Sequence, residues 1–230
     1  MINNTITRDT FNPHKNSSMK AHTAETQATV TPSKALEFLK EGNQRFIRNL
    51  RANRDLLEQV NATKDGQFPF AIILSCIDSR TSAELIFDQG LGDIFSARVA
   101  GNVINEDILG SMEYSCKVAG SKLIVVLGHS KCGAVTSACK GVKMGNITTL
   151  LSKMQSSVDE VHNQKPDLDH TCSEFVEAVA HHNVVHTMDE ILKRSPVLNE
   201  MFEAGEIGIA GCYYDVESGA VEFVKEIIHR

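Results

Sequence analysis

The chain has 230 residues with a formal net charge of -6, 42% hydrophobic and 23% charged residues. That supplies a full apolar core without disulfides, and the acidic balance argues against nucleic acid or an anionic membrane as the main partner. No apolar run approaches the length of a membrane-spanning helix or a secretory signal, and six cysteines are too sparse for a disulfide framework.

Residues 1–30 are polar and aperiodic and read as a flexible or arm-like segment. Arg8, Lys15 and Lys20 among Ser, Thr and Asn make it faintly like a transit peptide. Thr31, Pro32 and Ser33 form a helix start. Leu36, Leu39, Phe46, Ile47 and Leu50 follow at helical spacing, with Gly42 the weak residue. Leu56, Leu57 and Val60 suggest a second helical segment. The unalternated run Phe70 to Leu74 fits a strand buried on both faces, as in a parallel sheet. Further strands are expected at Ile94–Val99, Leu123–Leu127 and Ile207–Tyr214. A turn from Asp215 to Gly219 leads into a fifth at Ala220–Val224. Helical patterns lie around Ile108–Ser115 and Val135–Cys139, and a long amphipathic helix runs from Phe175 to Leu192. The alternation predicts an α/β fold: a mainly parallel β-sheet with an antiparallel edge strand, flanked by helices.

The chemistry-bearing residues follow the strands directly. Cys76-Ile77-Asp78-Ser79-Arg80 follows the first, and His129-Ser130-Lys131-Cys132-Gly133 the third. In open parallel sheets, ligands bind beyond the carboxyl ends of strands. If the two strands are neighbours, Cys76, His129 and Cys132 converge there. Two thiolates and an imidazole suit zinc, and three protein ligands leave the fourth position of a catalytic site. Zinc would acidify water in that position, though two thiolates formally cancel the metal charge. Asp78 and Arg80 point to one side of an extended segment. The Arg fork would keep Asp78 ionised and fixed, an orienter for the attacking hydroxide. Taken alone, these spacings leave a reactive thiol, or no site, as alternatives.

Together the residues resemble the β-class carbonic anhydrases. Cys76-x-Asp78-x-Arg80 and His129-x-x-Cys132 are similar to the two signatures of that family. Ala35-Leu36 through Gly42-Asn43-x-Arg45-Phe46 resembles its N-terminal helix, and Arg98-Val99-Ala100-Gly101-Asn102 its Arg-x-Ala-Gly-Asn segment. Gly128 to Ala134 and the hairpin Gly211 to Gly219 also match, so the likeness spans about residues 32–225. It implies one catalytic domain over 31–230 with one Zn2+ per subunit, hydrating carbon dioxide reversibly to bicarbonate and a proton. It also implies a homodimer or homotetramer whose N-terminal helix contacts the partner, with no membrane or nucleic-acid partner and a cytoplasmic setting.

The same resemblance implies a plant-like substrate pocket: Gln67 beside bicarbonate, an apolar wall of Phe95, Ala100 and Tyr114, and the Gly133 amide near bound anion. Ile73 stands where the bacterial subgroup with a noncatalytic bicarbonate site has Trp, so that site is expected to be absent. Thr81 replaces the usual Val with no consequence readable from sequence. Ser75 precedes the first ligand, where its hydroxyl could touch a bound sulfur. His181, His182 and His186 read as solvated or packing residues, with the proton-transfer group unassigned. Rival functions are hydrolysis of carbonyl sulfide or carbon disulfide on the same scaffold, noncatalytic binding of zinc or bicarbonate, and thiol redox chemistry.

Overall fold

The computed structural model describes residues 19–229; most of the expected N-terminal arm, residues 1–18, lies outside them. Five strands, β1 (Ala71–Ser75), β2 (Ile94–Arg98), β3 (Leu123–His129), β4 (Gly208–Tyr214) and β5 (Val221–Ile227), form one sheet. Its order is β2-β1-β3-β4-β5. The first four strands are parallel, and β5 pairs antiparallel with β4 at one edge. This is the mainly parallel sheet with an antiparallel edge that the sequence predicts.

Ten α-helices surround the sheet among the described residues. They are α1 (Ala24–Ala28), α2 (Pro32–Ile47), α3 (Leu56–Thr63), α4 (Ala83–Ile86), α5 (Glu106–Glu113), α6 (Gly133–Cys139), α7 (Gly145–Ser152), α8 (Gln155–Gln164), α9 (Ser173–Arg194) and α10 (Pro196–Glu203). None is long and apolar enough to cross a membrane.

Alternate residues of the buried strands feed opposite faces, as the strand period requires. Ile73, Leu123 and Val125 join Leu36 and Leu39 of α2 and Ile86 of α4. Ile72, Leu74 and Val126 join Met112 of α5, Val184 and Met188 of α9, and Leu198 of α10. A third apolar cluster, holding Cys76, Cys132, Val135, Val158 and Val179, sits among α6, α8 and α9. The chain leaves β1 for β2 on one side and returns to β3 on the other. Crossovers therefore diverge beyond the carboxyl ends of β1 and β3, opening a crevice there.

Inside the segment read as arm-like, α1 is capped by Thr23. Gln27 of this helix donates to the carbonyls of Pro69 (2.7 Å) and Ala119 (2.8 Å), fastening it near the start of β1. The weak helix former Gly42 has a packing reason. A Cβ there would lie 1.7 Å from the Phe87 carbonyl oxygen, so only glycine lets α2 approach this closely.

Beside that contact, Asp88 is 7% exposed and accepts from Arg45 Nε (2.5 Å) and Arg54 Nη1 (2.6 Å). Burial alone would raise its pKa, but hydrogen bonds from Arg45, the Ala52 amide and Arg54 overcome this and hold it below the ordinary value. Asp88→Asn is expected to lower stability by about 3 kcal/mol, because it leaves Arg54 buried without its counter-charge. The Asp88 contribution is complete above the unfolded-chain pKa near ~4. It is lost as pH falls through the lowered folded value. Thermal melts should therefore separate the two proteins widely at pH 7 and progressively less on acidification. A constant gap across that range would remove the ion pair as the cause.

Candidate metal centre

Register places the site. Ser75 pairs with Leu127, so Cys76, one residue beyond β1, comes level with Gly128 and next to His129, the last residue of β3. The apolar run ends at Leu127, but two further residues carry His129 on the sheet itself. Cys132 follows one turn later, immediately before α6. The turn is made possible by Lys131 in the left-handed region (φ 56°). The Lys131 amide donates to Glu177 Oε1 (3.1 Å), whose other oxygen accepts from the Tyr213 hydroxyl. His181 stacks on that Tyr ring at 3.7 Å between centroids.

One donor atom from each of Cys76, His129 and Cys132 lies within 4.8 Å of the others, and all three residues are buried. The two sulfurs are 3.9 Å apart. Tetrahedral thiolate coordination of zinc requires about 3.8 Å, from bonds of about 2.3 Å. His129 Nδ1 is 2.9 Å from the Ser130 carbonyl oxygen, which makes Nδ1 the protonated nitrogen and leaves Nε2 as a lone pair. That Nε2 is buried with no hydrogen-bond partner, a costly state unless a ligand fills it. The donor set fits zinc on these grounds. The thiols also share charge unequally. Hydrogen bonding from Cys132, followed by the Gly101 and Asp78 amides, pulls Cys76 far below the usual thiol value. The same contact with Cys76, reinforced by burial, pushes Cys132 up.

Asp78 is absent from the three-donor cluster. Its Oδ1 accepts from the Arg80 amide (3.0 Å) and Nε (2.9 Å), and its Oδ2 from Nη2 (2.8 Å). This two-pronged contact from Arg80 holds the Asp78 carboxyl well below the usual range. The backbone beneath it is fixed as well. The Cys76 and Asp78 carbonyls accept from Arg98 (3.0 and 2.7 Å) and from the Thr81 hydroxyl (3.0 and 2.9 Å). Thr81 therefore has a consequence that sequence did not reveal: its hydroxyl ties together the two ends of the turn, which Val cannot do. Ser75 does not meet a sulfur; its hydroxyl is buried without a partner.

Residues 71–221 match the carbonic anhydrase family model. "Carbonic anhydrase 2" of Mycobacterium tuberculosis is 35% identical over 196 residues, covering 83% of this chain and 91% of the relative. A carbonic anhydrase of Mycolicibacterium smegmatis is 35% identical over 198 residues, covering 83% and 92%. The solved β-carbonic anhydrase CcaA superimposes with a TM-score of 0.67 at 25% identity, covering 84% of this chain and 99% of its own. The chain belongs to the β-class carbonic anhydrase family. A second β-class structure, CafA of Aspergillus fumigatus, gives a TM-score of 0.66 at 27% identity, covering 83% and 89%.

Not every pocket residue suggested by the β-class carbonic anhydrase resemblance gathers at the cluster within one chain. Ala100 opens the short turn Ala100–Asn102, next to the Gly101 amide that donates to Cys76 Sγ (3.4 Å). Gly133 follows Cys132, and a Cβ there would meet nothing within 4 Å, so space is open beside the donors. Gln67 is exposed and precedes β1. It sits at the opposite end of a five-residue strand from Cys76, and at about 3.3 Å per residue it does not reach its own cluster. Phe95 and Tyr114 form an edge-on pair, 6.3 Å between centroids. They line a separate open cleft of about 720 Å³ along the edge strand β2, with Ile72 and Ile108. His182 and His186 lie apart from the donors too; His186 Nε2 is 2.9 Å from Ser156 Oγ. Burial raises the Cys116 thiol to about 12 and Cys139 to about 11, which leaves both inert as nucleophiles.

Proposed function

We propose that this chain hydrates carbon dioxide reversibly to bicarbonate, using one zinc ion held by Cys76, His129 and Cys132. The observation that carries the proposal is the buried three-donor cluster, with its unpartnered His129 Nε2, beside an Asp78 carboxylate clamped by Arg80. Bound zinc supplies the Lewis acidity that makes hydroxide available near neutral pH. The chain supplies position. Arg80 keeps Asp78 charged and immobile, so Asp78 stays a hydrogen-bond acceptor for the attacking O–H and turns the oxygen lone pair toward substrate. Because Arg80 engages Asp78, which lies outside the donor set, the three donors would leave a bound zinc one position for substrate chemistry. The open side at Gly133 supports substrate entry there.

The displaced pocket residues support an oligomer. Among the described residues β2 has no strand on its outer edge, and Phe95, Tyr114 and Gln67 are away from their own cluster. A second copy across this edge would place its Gln67, Phe95 and Tyr114 at the first copy's metal. The Sordaria macrospora β-carbonic anhydrases, one of which matches at a TM-score of 0.64 and 25% identity over 70% of this chain and 82% of its own, are tetrameric. We propose a dimer or tetramer with a pocket shared between subunits.

Stopped-flow measurement of carbon dioxide hydration on the zinc-loaded and chelator-stripped protein tests the reading. Hydration should be fast with zinc and return to background without it, and carbonyl sulfide and carbon disulfide should be poor substrates. Negligible hydration by the zinc-loaded chain, with turnover of either sulfur compound, would replace this function by the hydrolase.

A further inference from the structure

Asn183 lies in the middle of α9, 1% exposed, among the buried apolar residues Val179, Ala180, Val184 and Met188 of the same helix. An amide there costs stability unless its polar atoms are used. Only half of it is used: Nδ2 donates to the Gly101 carbonyl (2.9 Å), and Oδ1 is buried without a partner. An apolar side chain of the same shape would carry no unpaired atom of its own, and would cost only the bond to Gly101. The contact that remains therefore points to a task other than helix stability.

The task lies one bond further on. Gly101 occupies the left-handed region (φ 71°), and so does Asn102 (φ 44°). Two successive left-handed residues form a sharp turn that the local chain does not favour. Gly101 is fixed by its neighbours on every side. Its carbonyl is taken by Asn183, its amide donates to Cys76 Sγ (3.4 Å), and its Cα faces Met154, whose sulfur would lie 2.7 Å from an added Cβ. The Asn102 amide closes the turn on the Val99 carbonyl (3.0 Å). Asn183 thus reaches across 82 residues of sequence to hold, by its carbonyl, the residue whose amide donates to one donor sulfur. We infer that Asn183 is a positioning residue for the metal centre: through Gly101 it fixes the N–H donor, and hence the aim, of Cys76.

This inference rests on the zinc reading of the cluster. Partners one shell outside a metal's ligands orient them, and their loss costs about 10–100-fold in metal affinity. The test compares wild type, Asn183→Leu, Asn183→Ser and, as control, Asn43→Leu. Asn43 is a second buried amide, bonded to Ile86, Gly219 and Val221 with no contact to the cluster. Zinc affinity is read by competition with a chromophoric chelator, and the sulfur-to-metal charge-transfer band is read after loading with cobalt(II). Folding of the stripped proteins is checked by circular dichroism. Both Asn183 variants should bind zinc more weakly, by up to about tenfold since Asn183 acts through Gly101, and shift the cobalt band. Asn43→Leu should lose thermal stability but keep wild-type affinity and spectrum. If Asn183→Leu does not fold, the smaller Asn183→Ser carries the measurement. Wild-type affinity and an unshifted band in a folded Asn183 variant would overturn the inference while leaving the zinc reading in place. So would an equal loss of affinity in Asn43→Leu. Failure of the wild-type chain itself to bind zinc would instead overturn the zinc reading.

Discussion

Asp78→Asn is expected to retain one zinc per chain and to lower kcat by about 10²–10³-fold, the usual range for losing a positioned acid–base or charge-stabilising group. The geometry gives the reason. Both Asp78 oxygens accept from Arg80, and an Asn side chain turns one of them into a donor facing the guanidinium. The fork opens, and the acceptor for the attacking O–H is lost with it. Zinc stays because Asp78 is not one of the three donors. The pH profile adds a sharper check. Arg80 holds Asp78 well below the usual carboxylate range. Since its folded pKa is depressed, Asp78 is ionised throughout the pH range in which the enzyme works. The acid-side inflection of kcat/KM is then not its titration. Asp78→Asn should lower the plateau and leave the inflection where it is. Should stopped-flow data show the inflection vanish with the plateau unchanged, Asp78 would be the proton acceptor rather than the orienter.

What could be read from sequence follows from how far apart the cooperating residues lie. The strands were visible because Ile72 to Leu74 and Leu123 to Leu127 are buried on both faces and so form unbroken apolar runs. Their ends shifted by one to three residues, two for β3 and three for β5, since register with neighbours decides where pairing stops. α10 was not expected from the sequence, although Ser195 caps Leu198 with Pro196 in the first turn. α8 was likewise not expected, although Met154, Val158 and Val161, all buried, recur at helical spacing. α7 buries only Leu151 and left no such stripe. The donors Cys76, His129 and Cys132 were legible because each follows a recognisable strand. The pocket residues were legible as types but not as places. Nine residues separate Gln67 from Cys76 along the chain, yet an extended strand converts that short separation into opposite ends of the sheet. Thr81 and Asn183 were not legible at all. Their significance comes from carbonyls that only the folded turn presents.

Cys132→Ser, like loss of either other donor, should remove zinc at ordinary metal concentrations and hydration activity along with it. Apparent zinc-binding free energies of about 10–16 kcal/mol for fully ligated four-ligand protein sites correspond to roughly 2.5–4 kcal/mol per ligand. Loss of one ligand therefore weakens affinity by about two to three orders of magnitude. Serine preserves size but not chemistry: its hydroxyl stays protonated where a thiolate is needed. The fold should survive, because α6 is anchored by Val135 and Ala138 in the third apolar cluster and the Cys132 carbonyl still accepts from Thr136 (3.0 Å). Cys116→Ala provides the contrast. That thiol is also buried, but burial alone holds it protonated, with a pKa of about 12, and it is outside the donor cluster. It should keep wild-type zinc and turnover at some cost in thermal stability. Chelator competition followed by stopped-flow assay distinguishes the two. A folded Cys132→Ser protein that held zinc at wild-type affinity would mean that Cys132 is not a ligand, and would leave His129 and Cys76 too few to hold the metal alone.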